Sequence, residues 1–274
     1  MLKMQEEEFL YLVEFVRERY GINLTRKWAL LEGRLANYLQ ERGFASFGDY
    51  IKSLQTNPSQ QELTDFLNRI TTNHTYFMRE ADHFDFFRDQ VIPFWEERLN
   101  DRDLRVWCAA SSSGEEPYTL AMILQDYFGG HARPWDTRLL ATDLSLRALE
   151  KAWQGYYSQE SVQKLPEAWQ KRYFTKVDNT RVQVAETIKK QVVFRQFNLM
   201  EPIAAKKPYH AIFCRNVMIY FDAPTKEALA NRLYDVMAPG GFLFVGHTEA
   251  LARPTRFRSI VPSVYQKGVE NANS

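Results

Sequence analysis

Cysteine, surplus charge and long apolar runs are all scarce in this chain, and each shortage closes off a class of function. Cys108 and Cys214 are the only cysteines in 274 residues. Both end apolar runs and neither has paired histidines at ligand spacing. Two buried free thiols in a reducing compartment are expected, with neither a disulfide framework nor a metal centre. Lys and Arg number 35 against 34 Asp and Glu, a formal net charge of +1. Binding to bulk nucleic-acid phosphate usually leaves a strongly basic surplus, so that class loses ground. No stretch reaches the roughly 18 consecutive apolar residues of a membrane span. The opening MLKMQEEEF is acidic and lacks a hydrophobic h-region, so no signal peptide is expected. The glycine fingerprint G-x-G-x-x-G is missing too, which disfavours NAD and similar pyrophosphate ligands.

What is present is enough for a full core, since apolar residues make up 45% of the chain. The length suits one large domain or two smaller ones. Residues 1–70 read as helices. Phe9, Leu12, Val13, Val16 and Tyr20 follow helical spacing, and Gly21 stops that helix. A second stripe runs through Leu31, Leu35, Tyr38 and Leu39 to Gly43. From residue 104 the pattern changes to short β-rich runs between helical stretches: LRVWCA, RLLATD, VVFRQF, HAIFCRN and GFLFVG. That alternation predicts a parallel sheet with helices on both faces. SIVPSVYQKG, 259–268, offers one or two final strands, antiparallel at the edge. Residues 172–196 interrupt the pattern. RVQVA, a polar turn and QVVFRQ predict a small antiparallel insertion.

The stretch LRVWCAASSSGEEPY, 104–118, is chemically unusual. A strand ends in small residues, which let a ligand approach the backbone. Glu115 and Glu116 then open a helix. In open α/β sheets the ligand sits beyond the carboxyl ends of the strands, where strand order reverses. Acids there would repel a pyrophosphate and suit a ligand with an amine or another positive charge. The same spacing fits plain capping, because Ser113-x-x-Glu116 matches a capping box and the helix dipole favours acids in the first turn. Asp143 ends the second strand, where an acid can accept from ribose hydroxyls or cap the helix begun by TDLS. FCRNVMIYF, 213–221, delivers Arg215 and Asn216 to the sheet edge, then Met218, Ile219, Tyr220 and Phe221. It lacks the Asn-Pro-Pro-Tyr-like box of enzymes that methylate exocyclic amines, so a nucleic-acid base is disfavoured as substrate. TTNHTYFMRE, 71–80, is either a domain linker or a lid over the ligand.

Taken together, TTNHTYFMREADHF, RVWCAASSSGEEPYTLAM, ATDLS, FNLMEP, AIFCRNVMIYF and GGFLFVGHTE resemble the chemotaxis receptor methyltransferases, the CheR family, over nearly the whole chain. The resemblance implies an α/β class I S-adenosylmethionine-dependent methyltransferase (Rossmann-like) sheet, with a small antiparallel β insertion and an N-terminal all-helical domain. Residues 1–72 would form the helical domain and 73–274 the methyltransferase domain, with the β-subdomain at about 172–196. It implies S-adenosylmethionine as cofactor and S-adenosylhomocysteine as product. The implied reaction forms methyl esters on glutamate carboxylates of methyl-accepting chemotaxis receptors during sensory adaptation. The partner would be the helical signalling domain of the receptor in the cytoplasm, met by a monomer. The alternative is a non-catalytic module that senses the cofactor within a signalling pathway.

By matching motif positions, Asn73, Thr75 and Arg79 would contact the cofactor from the linker. One of Glu115 and Glu116 would do so from the turn. Asp143 would hold the ribose, Asn198 and Leu199 would frame the adenine, and Arg215 and Asn216 would close the pocket below the reacting sulfonium. Arg79 and Tyr220 would face the methyl transfer. Two features depart from the family pattern. Residues 1–70 are close to charge-balanced where relatives tend to show a basic face, although Arg26, Lys27, Arg34 and Arg42 cluster on or near the second helix. The insertion looks compact around AETIKKQ, where some relatives dock a receptor C-terminal peptide.

Overall fold

The computed structural model describes residues 2–56, 58–71 and 74–269. They fall into two compact units, Met1–Asn73 with Tyr220–Thr225, and His74–Ile219 with Lys226–Ser274.

The first unit is helical: α1 (Glu6–Tyr20), α2 (Trp28–Glu41), α3 (Phe47–Gln55) and α4 (Gln60–Ile70). In α1 the stripe read from sequence is the buried face, with Phe15 added to it. Gln5 and Glu8 form a capping box at its start, and Gly21 ends it at φ 70°, a left-handed conformation that glycine adopts without steric cost. Leu31, Leu35 and Leu39 of α2 are fully buried. Phe66 of α4 meets Phe15 and Tyr50 at centroid distances of 6.2 and 6.0 Å. Arg34, one of the four basic residues clustered on or near the second helix, donates to the Arg69 and Thr71 carbonyls at 3.2 and 3.1 Å. It neutralises the carboxyl end of α4, where a cation is favoured by the helix dipole. The short segment at 220–225 joins this unit: the Tyr220 carbonyl accepts from the Asn23 N–H at 2.7 Å, and Ile22 bridges to Phe221.

The second unit is built on a seven-stranded sheet and a smaller three-stranded one. Ten strands occur in chain order: β1 (Val106–Cys108), β2 (Leu139–Asp143), β3 (Tyr156–Ser158), β4 (Phe174–Lys176), β5 (Arg181–Val184), β6 (Val192–Gln196), β7 (Tyr209–Phe213), β8 (Met237–Phe244), β9 (Arg258–Val261) and β10 (Val264–Gln266). The large sheet runs β6-β2-β1-β7-β8-β10-β9. β6, β2, β1, β7 and β8 are mutually parallel, while β10 is antiparallel to both β8 and β9. Strand order reverses between β1 and β7, whose ends lie level because Cys108 pairs with Phe213. The Phe213 and Phe244 rings stack at 4.2 Å between their centroids.

Helices of this unit, continuing the numbering, are α5 (Ala81–Phe86), α6 (Ile92–Glu96), α7 (Glu115–Phe128), α8 (Leu146–Gln154), α9 (Gln159–Val162), α10 (Glu167–Tyr173), α11 (Glu186–Lys189) and α12 (Ala223–Asp235). A π turn, Phe87–Val91, joins α5 to α6. α7 is buried almost all round, which is why its apolar residues show no single stripe.

The antiparallel insertion expected at 172–196 exists with different strands. The small sheet runs β3-β5-β4. Its third strand, Tyr156–Ser158, lies upstream of that window, and the polar turn AETIKKQ contains the helix α11. Val192–Gln196 instead pairs in parallel with β2 at the edge of the large sheet. One-sided alternation looks the same on an edge strand of either sheet, so periodicity could not assign it.

Truncating the α2 stripe tests this packing. Leu35→Ala should lower the unfolding free energy by about 2–5 kcal/mol through transfer and cavity terms. Urea denaturation followed by circular dichroism would measure it, and a loss below about 1 kcal/mol would contradict the buried assignment.

Candidate functional site

The turn after β1 and the turn after β7 meet beyond the carboxyl ends of the strands, at the point where strand order reverses. The first turn is tightly shaped. Ser112 has φ 47° and Gly114 φ 98°. A Cβ on Gly114 would stand 2.8 Å from both the Ala152 Cβ and the Tyr157 hydroxyl, so only glycine fits there. The Tyr157 hydroxyl, brought in by the small sheet, donates to the Ser113 carbonyl at 2.6 Å. The Asp143 carboxylate at the end of β2 accepts from the backbone N–H groups of Ser112 and Ser145, both at 2.8 Å. Asp143 is half-buried, and burial raises its pKa against those two donors.

The two acids opening α7 separate in role. Glu115 turns inward, is 5% exposed, and accepts from the Ser113 hydroxyl at 2.8 Å. Burial pushes its carboxyl up. Glu116 turns to the strand ends. It accepts from the Cys108 thiol at 2.8 Å and from the Arg215 guanidinium at 2.5 Å. Both cysteines are free and buried, and burial raises both thiols well above their ordinary range.

Arg215 is the centre of a buried charge network. Its side chain is 1% exposed. It bonds Glu116 on one side and Glu80 on the other, the latter at 3.0 Å, and donates to the Arg79 carbonyl. Its guanidinium lies 5.2 Å from the Phe84 ring centroid. Burial lowers its pKa, but Glu116 and Glu80 more than offset that and raise it. Glu80 also accepts from the Asn216 side-chain amide at 3.1 Å and from the His247 N–H at 3.3 Å. Burial works against its charge, yet Asn216 and Arg215 bring its pKa below the ordinary value.

Left-handed backbone concentrates here. Among the described residues six non-glycine positions have positive φ, and four of them, Met78, Glu80, Ser112 and Asn216, belong to these turns. Each such conformation costs on the order of 1–2 kcal/mol, which surrounding contacts must offset.

Glu116 and the Arg79 carbonyl thus meet at Arg215, and Glu80, a residue to which sequence reasoning gave no role, joins Arg215 to Asn216, while the Arg79 guanidinium itself donates to the His74 carbonyl. Asp143 holds the neighbouring turn, and its carbonyl accepts from the Phe197 N–H at 3.1 Å, next to Asn198. Asn198 turns its side-chain oxygen to the Met200 N–H at 3.0 Å, and Leu199 is buried. Thr75 is half-buried. Asn73 lies outside the described residues. Tyr220 groups with the helical unit. Glu80, His83 and His247 are close enough to suggest a cation, their ligand atoms lying within 4.8 Å of one another. Glu80 is already committed as counter-ion to Arg215, so the trio gives no argument for a metal.

A model of the CheR methyltransferase S-adenosylmethionine-binding domain matches residues 73–265, and a model of the CheR all-alpha domain matches residues 7–71. The chain belongs to the CheR methyltransferase family. Curated relatives match over most of the chain. A chemotaxis protein methyltransferase of Borreliella burgdorferi is 36% identical over 97% of this chain and 96% of its own. One from Escherichia coli is 35% identical over 90% and 86%, and one from Pseudomonas aeruginosa 36% over 94% and 92%. The cofactor of this CheR chain is S-adenosylmethionine.

The local chemistry fits that molecule. The Ser111 and Ser112 hydroxyls and the Arg215 Nε are buried without a protein hydrogen-bond partner. Polar groups orphaned in this way beside a turn of small residues are what a bound polar ligand would satisfy.

Two outcomes follow from the charge network. Arg215→Ala would leave Glu80 and Glu116 facing each other without a cation, and should cost about 3–5 kcal/mol in urea denaturation. Acid should weaken the fold through its buried rings. Burial, with Arg215 adding to it at His83, lowers the pKa of His83 and His210 to about 4. Between pH 6.5 and that value the unfolded chain binds more protons than the folded one. Each ring therefore removes up to about 1.4 kcal/mol of stability per pH unit as pH falls through that window. His83→Phe should flatten the slope of unfolding free energy between pH 6.5 and 5 relative to the parent, and an identical slope would show that His83 does not titrate as inferred.

Proposed function

We propose that this chain transfers the methyl group of S-adenosylmethionine to the side-chain carboxylate of glutamates on chemoreceptors, leaving S-adenosylhomocysteine. The single observation that carries this reading is the anionic cluster at the strand ends, where Glu116 and Glu80 flank one cation, Arg215, while Asp143 holds the neighbouring turn through the Ser112 N–H. The relatives' name, chemotaxis protein methyltransferase, supports the receptor as target.

Bound S-adenosylmethionine supplies an electrophilic methyl group on a sulfonium. Glu116 is the acid we assign to the ammonium end, because it reaches the ends of β1 and β7 while Glu115 is turned inward on Ser113. Asp143 takes backbone N–H groups from Ser112, Ser145 and Leu144, which leaves acceptor capacity on its carboxylate for a ribose hydroxyl. Asn198 and Leu199, following β6, would border the adenine. Asn73 and Thr75 would contact the cofactor from the linker, and Arg215 and Asn216 would close the pocket floor.

The acceptor needs orientation rather than activation. A glutamate with a pKa near ~4.3 is already an anion at neutral pH, so no general base is required. Its carboxylate must be held in line with the departing sulfur, and positioning of this kind can supply on the order of 7–11 kcal/mol. Exclusion of water assists, because opposite charges neutralise along the way. Arg79 would orient the incoming carboxylate through its guanidinium. Tyr220 groups with the helical unit, and its part in the transfer rests on the family resemblance alone. The partner would be the helical signalling domain of a receptor, met by a monomer in the cytoplasm.

Incubation with tritiated S-adenosylmethionine and a receptor signalling domain should give base-labile methyl counts, the mark of an ester. Base-stable counts alone would mean N-methylation and would sink the reading, and no counts despite tight product binding would favour a cofactor sensor. Arg79→Ala should lower turnover by at least about tenfold with cofactor binding largely kept. Unchanged turnover would remove Arg79 from the mechanism.

A further inference from the structure

The run GGFLFVGHTE marks the chain as a CheR protein, yet nothing above gives its last residue a task. Glu249 is 6% exposed. Its carboxylate accepts from the backbone N–H groups of Asn216 at 2.8 Å, Ile219 at 3.0 Å and Gly246 at 2.5 Å. Two of these donors lie in the turn leaving β7 and the third in the turn leaving β8. We propose that Glu249 is a positioning residue for the cofactor site, pegging these two turns together so that Arg215 and Asn216 present their side chains in one fixed register.

Asn216 is the hinge of the argument. Its backbone is left-handed, with φ 58°, a state that needs an external hold in a non-glycine residue. The Glu249 carboxylate supplies that hold at the Asn216 N–H. The same backbone setting lets the Asn216 amide reach Glu80, and Glu80 in turn grips Arg215. The fit is close. A Cβ on Gly246 would stand 2.4 Å from the Asn216 Nδ2 and 2.9 Å from the Glu249 Oε2, so the glycine leaves room for both side chains. A carboxylate suits the place better than an amide. Its two oxygens offer about four acceptor sites, whereas glutamine offers one oxygen and brings an N–H₂ toward groups that are themselves donors. Burial raises the Glu249 pKa against these same N–H bonds.

The proposal rests on the reading that Arg215 and Asn216 border the cofactor, and the test separates the two. The full-length parent, Glu249→Gln and Gly246→Ala would be compared by calorimetric titration with S-adenosylhomocysteine. Amide exchange at Asn216, Ile219 and Gly246 would be followed by NMR. Glu249→Gln should weaken the affinity about tenfold or more and speed exchange at those three amides, while the amides of β1 and β7 stay protected. Gly246→Ala should weaken the affinity comparably with the carboxylate still in place, and it decides the matter if Glu249→Gln does not fold. Leu35→Ala serves as the control for general destabilisation and should leave the affinity within about twofold of the parent. Parent-like affinity in folded Glu249→Gln, or unchanged exchange at the three amides, overturns the proposal alone. A parent that ignores S-adenosylhomocysteine overturns the site reading and the proposal with it.

Discussion

A guanidinium removed from water is the constraint around which the methyltransferase unit is arranged. Arg215 is 1% exposed, and its burial is costly unless it is paired, because an ion loses several kcal/mol of hydration on entering an apolar interior. It is sustained by two carboxylates from different parts of the chain, Glu80 before α5 and Glu116 at the start of α7, and by the Arg79 carbonyl. That demand draws the linker side of the unit, the first helix after β1 and the turn after β7 to one point. The left-handed residues Met78, Glu80, Ser112 and Asn216 are the backbone cost of making those segments converge.

The electrostatics also explain why a nearly neutral protein can hold a cationic cofactor. Selectivity lies in placement rather than in net charge. Acids stand at the strand ends and at a helix start, where a dinucleotide site would leave the helix N-terminus clear for pyrophosphate. The small antiparallel sheet takes part in shaping this turn. Tyr157 reaches from β3 to the Ser113 carbonyl and covers Gly114, so the sheet also braces the floor of the site.

Much of this was legible in the sequence. The helical stripe of α1, four of the five parallel strands and the antiparallel end of the sheet follow from periodicity, since a buried face must repeat with its element. The run through Gly114, Glu115 and Glu116 was legible as a tight turn opening a helix, but its spacing fitted capping as well as a ligand. Misplacing Val192–Gln196 in the insertion had a physical cause: strand pairing is non-local, and alternation says which face is wet without naming the neighbour.

Other features were decided only when the chain folded. Neither Glu115 nor Glu116 can be preferred from spacing, because adjacent helical residues point about 100° apart and either could face the ligand. The tertiary fold turned Glu115 to Ser113 and Glu116 to Arg215. Glu80 and Glu249 were given no role in the sequence, and became acceptors because a distant guanidinium came to rest beside Glu80 and the distant Asn216 N–H beside Glu249. Local sequence therefore determined the elements, the fold class and the family, since these depend on short-range pattern. The partner of each charge was left to tertiary structure, since electrostatic pairing in a low-dielectric interior depends on which segments meet.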